Sequence, residues 1–328
     1  MRAFVFACVV LLAFDALAHG RPAKLPLGDG KLSFAPLRGH IYSCQTSFTA
    51  GGAFRDGPWI QGQWWYPDGK IRVGGSVPWP QARFKVELYD SARVLRGNGL
   101  PLNQTTGIYP VRADDEAYQY DRNPNYILAQ SLSLELPLLP MPAKRPACVP
   151  MGLIGVTLTG VGIFNGLDGM GRDAAAHQIQ DKCNGHPERR GMYHYHNWSD
   201  CIPDSGGAKG EHSALVGYVL DGHGIFGPYG EGGKLLTNAD LDACHGHQHV
   251  VPWDGRKVDI YHYHFTMEYP YTVGCFVGTP LQLPQVPDAA GMAPSSAPPP
   301  PFAKGKGFPH APPPYPVIER YPPPPPGW

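Results

Sequence analysis

The tetrapeptide Tyr-His-Tyr-His occurs twice in this 328-residue chain, at residues 193–196 and 261–264. Each copy follows a similar lead-in, Asp181-Lys182-Cys183-Asn184-Gly185-His186 before the first and Asp242-Ala243-Cys244-His245-Gly246-His247 before the second. Eleven of the fourteen histidines fall between His177 and His264. Imidazole is the commonest protein ligand for transition metals and the side chain most easily titrated near neutral pH. The chemistry to expect is therefore metal ligation.

Alternation of tyrosine and histidine has a period of two, so on a strand both histidines of a copy point one way and both tyrosines the other. Two imidazoles at i and i+2 stand about 7 Å apart at Cα, near enough to share an ion. The histidine of the preceding Cys-x-Gly-His completes a three-nitrogen set. The expected sets are His186, His194 and His196, and His247, His262 and His264. Three imidazoles with an open position suit copper or zinc better than magnesium or calcium, which prefer oxygen. The competing reading makes the histidines structural, bonded to backbone carbonyls. His245 and His249 flank His247 and are expected to support the ligands. A hydrolytic site would also need a general base, and Asp221 in Leu220-Asp221-Gly222-His223-Gly224 is the candidate. Asp181 and Asp242 read as caps of a helix or loop.

The elements that must position these groups are strands. Residues 59–66 and 84–89 alternate or run apolar, and Pro67-Asp68-Gly69-Lys70 and Arg96-Gly97-Asn98-Gly99 signal turns. Long helical periodicity is missing. Short helices are expected only near residues 171–182 and 238–244. The expected class is mainly β, an internally duplicated sandwich-like or barrel-like domain with few short helices. Duplication extends beyond the tetrapeptides: residues 153–164 match 215–226 at an offset of 62, Cys183 matches Cys244 at 61, and the tyrosine–histidine motifs match at 68. The growth in offset places an insertion near residues 250–257. The copies span about 150–202 and 213–278 and are expected to pack about a pseudo-twofold axis.

Residues 1–18 read as a secretory signal, with Arg2, an apolar stretch and Ala16-Leu17-Ala18. Residues 19–97 form a β-rich N-terminal region, 98–280 the duplicated domain, and 281–328 a disordered tail. From Pro284 onward the tail holds 17 of the 38 prolines, which gives it polyproline II character and makes it the segment to meet a cell-wall or protein partner. No later segment has the run of about 18 apolar residues that a transmembrane helix needs. Beyond the signal lie six cysteines, Cys44, Cys148, Cys183, Cys201, Cys244 and Cys275, which suits disulfides in an exported chain, secreted or periplasmic. Either each repeat closes on itself or the repeats cross-link; both options leave Cys44 with Cys148. A net charge of zero, with no cluster of Lys and Arg, excludes the electrostatic footprint of a nucleic-acid binder.

Gly191-Met192-Tyr193-His194-Tyr195-His196, Gly217-Tyr218-Val219-Leu220-Asp221-Gly222 with Gly227-Pro228-Tyr229-Gly230, Leu241-Asp242-Ala243-Cys244-His245-Gly246, and the stretch from Tyr261 to Cys275 together resemble the YHYH-domain proteins. Asn98-Gly99-Leu100-Pro101 and Thr106-Gly107-Ile108-Tyr109-Pro110 are similar to that family's upstream part, so the resemblance spans about residues 98–278. Gly224 departs from the pattern, since relatives often carry proline there. The resemblance implies an exported protein and brings no reaction or metal with it. Three functions follow from the residues: a copper- or zinc-binding module, a metal-dependent hydrolase or oxidase, and a structural surface protein with packing histidines.

Overall fold

The computed structural model describes residues 21–49 and 51–283; the signal-like segment and nearly all of the proline-rich tail lie outside them. The described residues are mainly β, 31% strand and 6% helix. Near the N-terminus the tryptophan-rich run folds as two-residue strands, Ile60–Gln61 and Trp64–Trp65, reversed at Gly62. Strands β1 (Phe84–Leu88), β2 (Ala92–Gly97) and β3 (Leu132–Pro137) make an antiparallel sheet with β2 in the middle.

One large sheet carries the histidines. Its strands are β4 (Leu153–Thr157), β5 (Gly162–Phe164), β6 (Gly185–Pro187), β7 (Tyr193–Tyr195), β8 (Leu215–Val219), β9 (Gly224–Phe226), β10 (Gly246–Trp253) and β11 (Arg256–His264). Their order is β6-β7-β5-β4-β8-β9-β11-β10. Matching β4 to β8, β5 to β9, β6 to β10 and β7 to β11 makes that order read the same from either end. The pairings agree in sense as well: β5 is parallel to β7 and β9 to β11, and every other neighbour pair is antiparallel. β4 and β8 meet at the centre. There a Cβ on Gly155 would lie 2.7 Å from the Tyr218 carbonyl oxygen, and one on Gly217 would lie 2.7 Å from that of Val156. The seam closes because both residues are glycine.

The extra residues of the second half lie in its outer hairpin. β6 and β7 have three residues each, whereas β10 and β11 have eight and nine and turn at Asp254-Gly255. The central strands are buried on both faces, with Ile154, Val156, Ile163, Val219 and Ile225 all sealed from solvent, so they are apolar throughout rather than alternating.

Helix is sparser than expected. Within 171–182 a single α-helical turn forms, Ala174–His177, whose Asp173 cap accepts from the Ala176 N–H. Residues 238–244 form turns and no helix, because the Asp242 carboxylate takes the N–H groups of Cys244 and Gly246 and closes the loop locally. Disulfides join Cys44–Cys148, Cys183–Cys201 and Cys244–Cys275, so each half closes on itself. No helix among the described residues is long and apolar enough to cross a membrane.

Candidate metal centres

On β7 and β11 the two residue types separate by face. Tyr193 and Tyr195, and Tyr261 and Tyr263, point to one side and place their hydroxyls on side-chain oxygens. Tyr193 donates to Asp181 (2.8 and 2.9 Å) and Tyr261 to Asp242 (3.0 Å), while Tyr195 donates to the Gln104 side-chain oxygen (2.7 Å) and Tyr263 to Asp221 (2.6 Å). Asp181 and Asp242 are thus loop caps. Each accepts the N–H groups two and four residues on and then anchors the first tyrosine of its motif. Gly185 and Gly246 leave room for those rings: a Cβ at Gly185 would meet the Tyr193 hydroxyl at 2.3 Å, and one at Gly246 that of Tyr261 at 2.4 Å.

The histidines gather on the opposite face. His186 pairs in register with His194 across β6 and β7, and His247 with His262 across β10 and β11. The first group is His186, His194 and His196, all fully buried. The second is His212, His247, His262 and His264, in which the last two are fully buried and the first two half-buried. Within each group one ring nitrogen per residue lies within 4.8 Å of all the others.

Backbone carbonyls set the tautomers, and they do so at matching places in the two halves. His194 donates from Nδ1 to the Met192 carbonyl (3.0 Å), and His262 to that of Ile260 (3.0 Å). His196 donates from Nδ1 to the Asn165 carbonyl (2.5 Å), and His264 to that of Gly227 (2.6 Å). A neutral imidazole has one proton, so in all four residues Nε2 is left as a lone pair. The Nε2 atoms of His194 and His196 stand 3.1 Å apart. His247 Nε2 lies 3.1 Å from both His262 Nε2 and His264 Nε2. His186 has no hydrogen-bond partner for either buried ring nitrogen.

Burial holds these rings neutral. It pushes His186, His194 and His264 well below the usual histidine range, aided by the neighbouring imidazoles, and brings His196 and His247 down to about 4. Aromatic rings shape the walls. Phe164 stacks on His194 at 3.7 Å between centroids, and its counterpart Phe226 lies 4.6 Å from His262.

The six histidines singled out from the sequence therefore fall into two groups, three and three. Asp221 lies elsewhere, on the tyrosine face, where its carboxylate accepts from Tyr263 and from the Gly278 and His223 N–H groups. His245 is buried against the Thr266 hydroxyl (2.9 Å), and His249 reaches Glu231 (2.8 Å) while packing edge-on against His247 and His262. His212 belongs to neither of the sets expected from the sequence. Its signal was its position three residues before the Leu215–Val219 strand of the second repeat, where the offset of 62 puts Pro150 in the first.

The class is thus a two-halved β-sheet protein with a histidine cluster in each half. The YHYH protein family model matches residues 133–235, so the chain carries a YHYH domain. That match takes in the first tyrosine–histidine motif and ends before the second. Searches of the curated proteins and of the solved structures found no match.

Proposed function

We propose that the protein is an exported metal-binding module whose two histidine clusters each hold a copper or zinc ion. The observation that carries this reading is the 3.1 Å approach of His194 Nε2 to His196 Nε2, with both Nδ1 protons already committed to carbonyls. Two lone pairs facing each other in a buried site repel, and no choice of tautomer relieves them. In the second cluster a proton on His247 Nε2 serves only one of its two neighbours. A cation between the rings removes the conflict. A shared proton is disfavoured because burial depresses these groups.

The spacing suits a metal. Zinc–nitrogen bonds of about 2.0 Å at tetrahedral angles put neighbouring ligand nitrogens roughly 3.3 Å apart, close to the separation found here. The Nδ1–carbonyl bonds fix ring orientation as outer partners of metal-bound histidines do. All six cysteines beyond the signal-like segment are joined in disulfides, which leaves nitrogen as the donor and favours an oxidising compartment.

The test is elemental analysis of the mature protein purified without a polyhistidine tag. Two equivalents of copper or zinc are expected, falling to one in the His262→Ala/His264→Ala variant. No metal in the protein as purified, together with none taken up on titration at neutral pH, would sink the reading.

A further inference from the structure

The two clusters differ in one residue. Offset by 62, the His212-Ser213-Ala214-Leu215-Val216-Gly217 segment aligns with Pro150-Met151-Gly152-Leu153-Ile154-Gly155, so the second half carries an imidazole where the first carries proline. His212 obeys the same rule as the strand histidines. Its Nδ1 donates to the Ser213 carbonyl (2.7 Å), and its Nε2 is buried with no partner. One of its ring nitrogens lies within 4.8 Å of the ligand nitrogens of His247, His262 and His264. Its ring centroid stands 5.0 Å from that of His264 and 5.4 Å from that of His262.

The backbone under His212 is tied down. Asp204 accepts from the Gly207 and Ala214 N–H groups and from the Ser213 hydroxyl, while the Ser213 N–H donates to the Tyr229 carbonyl and the Ser213 hydroxyl oxygen accepts from the Tyr229 N–H. Nothing in the first cluster plays this part: Pro150 uses its carbonyl to accept from the Asn165 side-chain amide, and Phe164 covers His194.

We infer that His212 is the fourth ligand of the second centre, which binds its zinc or copper ion through four imidazoles with no position left for water, whereas the first centre binds through three. This rests on the metal-binding reading. A catalytic zinc keeps one position open, and a structural one fills all four. His212 takes the position at which a hydrolase or oxidase would bind its water or oxygen. The more accessible of the two centres is thereby made to hold an ion rather than to use it.

The experiment uses the mature protein, stripped of metal and loaded with two equivalents of Co²⁺, whose visible absorption reports coordination, with azide as a small anionic probe of an open position. In wild type, azide is expected to shift the bands of the three-imidazole first centre alone and to leave those of the second in place. In His212→Ala one of the two ions should bind at least about tenfold more weakly against a competing chelator, since loss of a mere outer partner already costs that much. Azide should then shift the bands of that ion. His212→Gln, which retains side-chain bulk, must behave in the same way, and thermal melts establish that both variants fold. A wild type that responds to azide as the variants do, or variants that keep wild-type affinity and bands, would overturn the assignment. If wild type takes up neither Co²⁺ nor Zn²⁺, the metal-binding reading itself falls and this inference falls with it.

Discussion

At the residue scale, the division of labour within Tyr-His-Tyr-His decides what each substitution does. The tyrosines are structural: Tyr193 closes the ring of donors around Asp181, which also accepts from the Gly107, Cys183 and Gly185 N–H groups. Burial raises the Asp181 carboxyl against the pull of those donors. Tyr193→Phe removes one of them and leaves the rest of the ring in place. It should cost about 1–3 kcal/mol, the range for stripping a buried acceptor of a partner, and leave metal content unchanged. Chemical denaturation with parallel elemental analysis checks both halves of that statement. His194→Ala should do the reverse to metal content. It removes the nitrogen that faces His196, so the first centre should empty while the second stays loaded. Stability of the metal-free variant, compared with metal-free wild type, should change less than that of the metal-loaded pair, because the repulsion between two lone pairs disappears with the ring.

At the scale of elements, the strand face was legible because period-two alternation has one structural meaning once a strand is assumed. The Gly-His histidines were legible because glycine at that point marks close approach, and the loop pattern Asp-x-Cys-x-Gly-His occurs twice. What spacing along the chain does not encode is which carbonyl meets each Nδ1. Asn165 and Gly227 reach His196 and His264 across parallel strand pairs, more than thirty residues away in sequence. His212 was hidden for the same reason, since the loop that carries it folds back through Asp204. Of the two short helices expected, one forms as a single turn capped by Asp173, and the other gives way to turns because the Asp242 carboxylate satisfies nearby N–H groups locally. The disulfides belong to this scale too. Cys44–Cys148 closes 104 residues and ties the N-terminal segment to the edge of the duplicated region, whereas Cys183–Cys201 closes 18. Restricting the unfolded chain stabilises more as the loop lengthens, about 3 kcal/mol for a short loop and nearer 5 kcal/mol for one of a hundred residues. A Cys44→Ser/Cys148→Ser variant should therefore lose more stability than Cys183→Ser/Cys201→Ser. Equal losses in urea unfolding would mean that strain or residual structure, not loop closure, sets the difference.

At the scale of the whole molecule, the buried imidazoles couple folding to pH, and the sign follows from their depressed ionisation. His196 and His247 are held at about 4 and His245 at about 3, chiefly by burial, whereas in the unfolded chain each returns to about 6.5. Below pH 6.5 the unfolded chain therefore binds more protons than the folded one. The stability these groups contribute is fully present above about pH 6.5 and is lost as pH falls toward 4, at up to about 1.4 kcal/mol per pH unit for each fully buried group. Asp121, Asp173, Asp181 and His177 act the other way, because their ionisation is raised in the folded protein. Burial raises Asp173 to about 6, and its contribution is present in acid and lost as pH rises through that value. His177 is raised although burial opposes it, because its ring nitrogens bond Asp29 and Asp56; its contribution is likewise lost as pH rises. The depressed imidazoles outnumber these four, so the urea midpoint of the metal-free protein should fall between pH 6.5 and 4.5. Zinc adds a second slope of the same sign, because protons compete for the ligand nitrogens. The gap between zinc-loaded and metal-free midpoints should be widest at pH 7.5 and close in acid. A metal-free midpoint that is flat or rises from pH 6.5 to 4.5 would show that the clusters take up protons in the folded state, and that a shared proton rather than a metal ion settles the facing lone pairs.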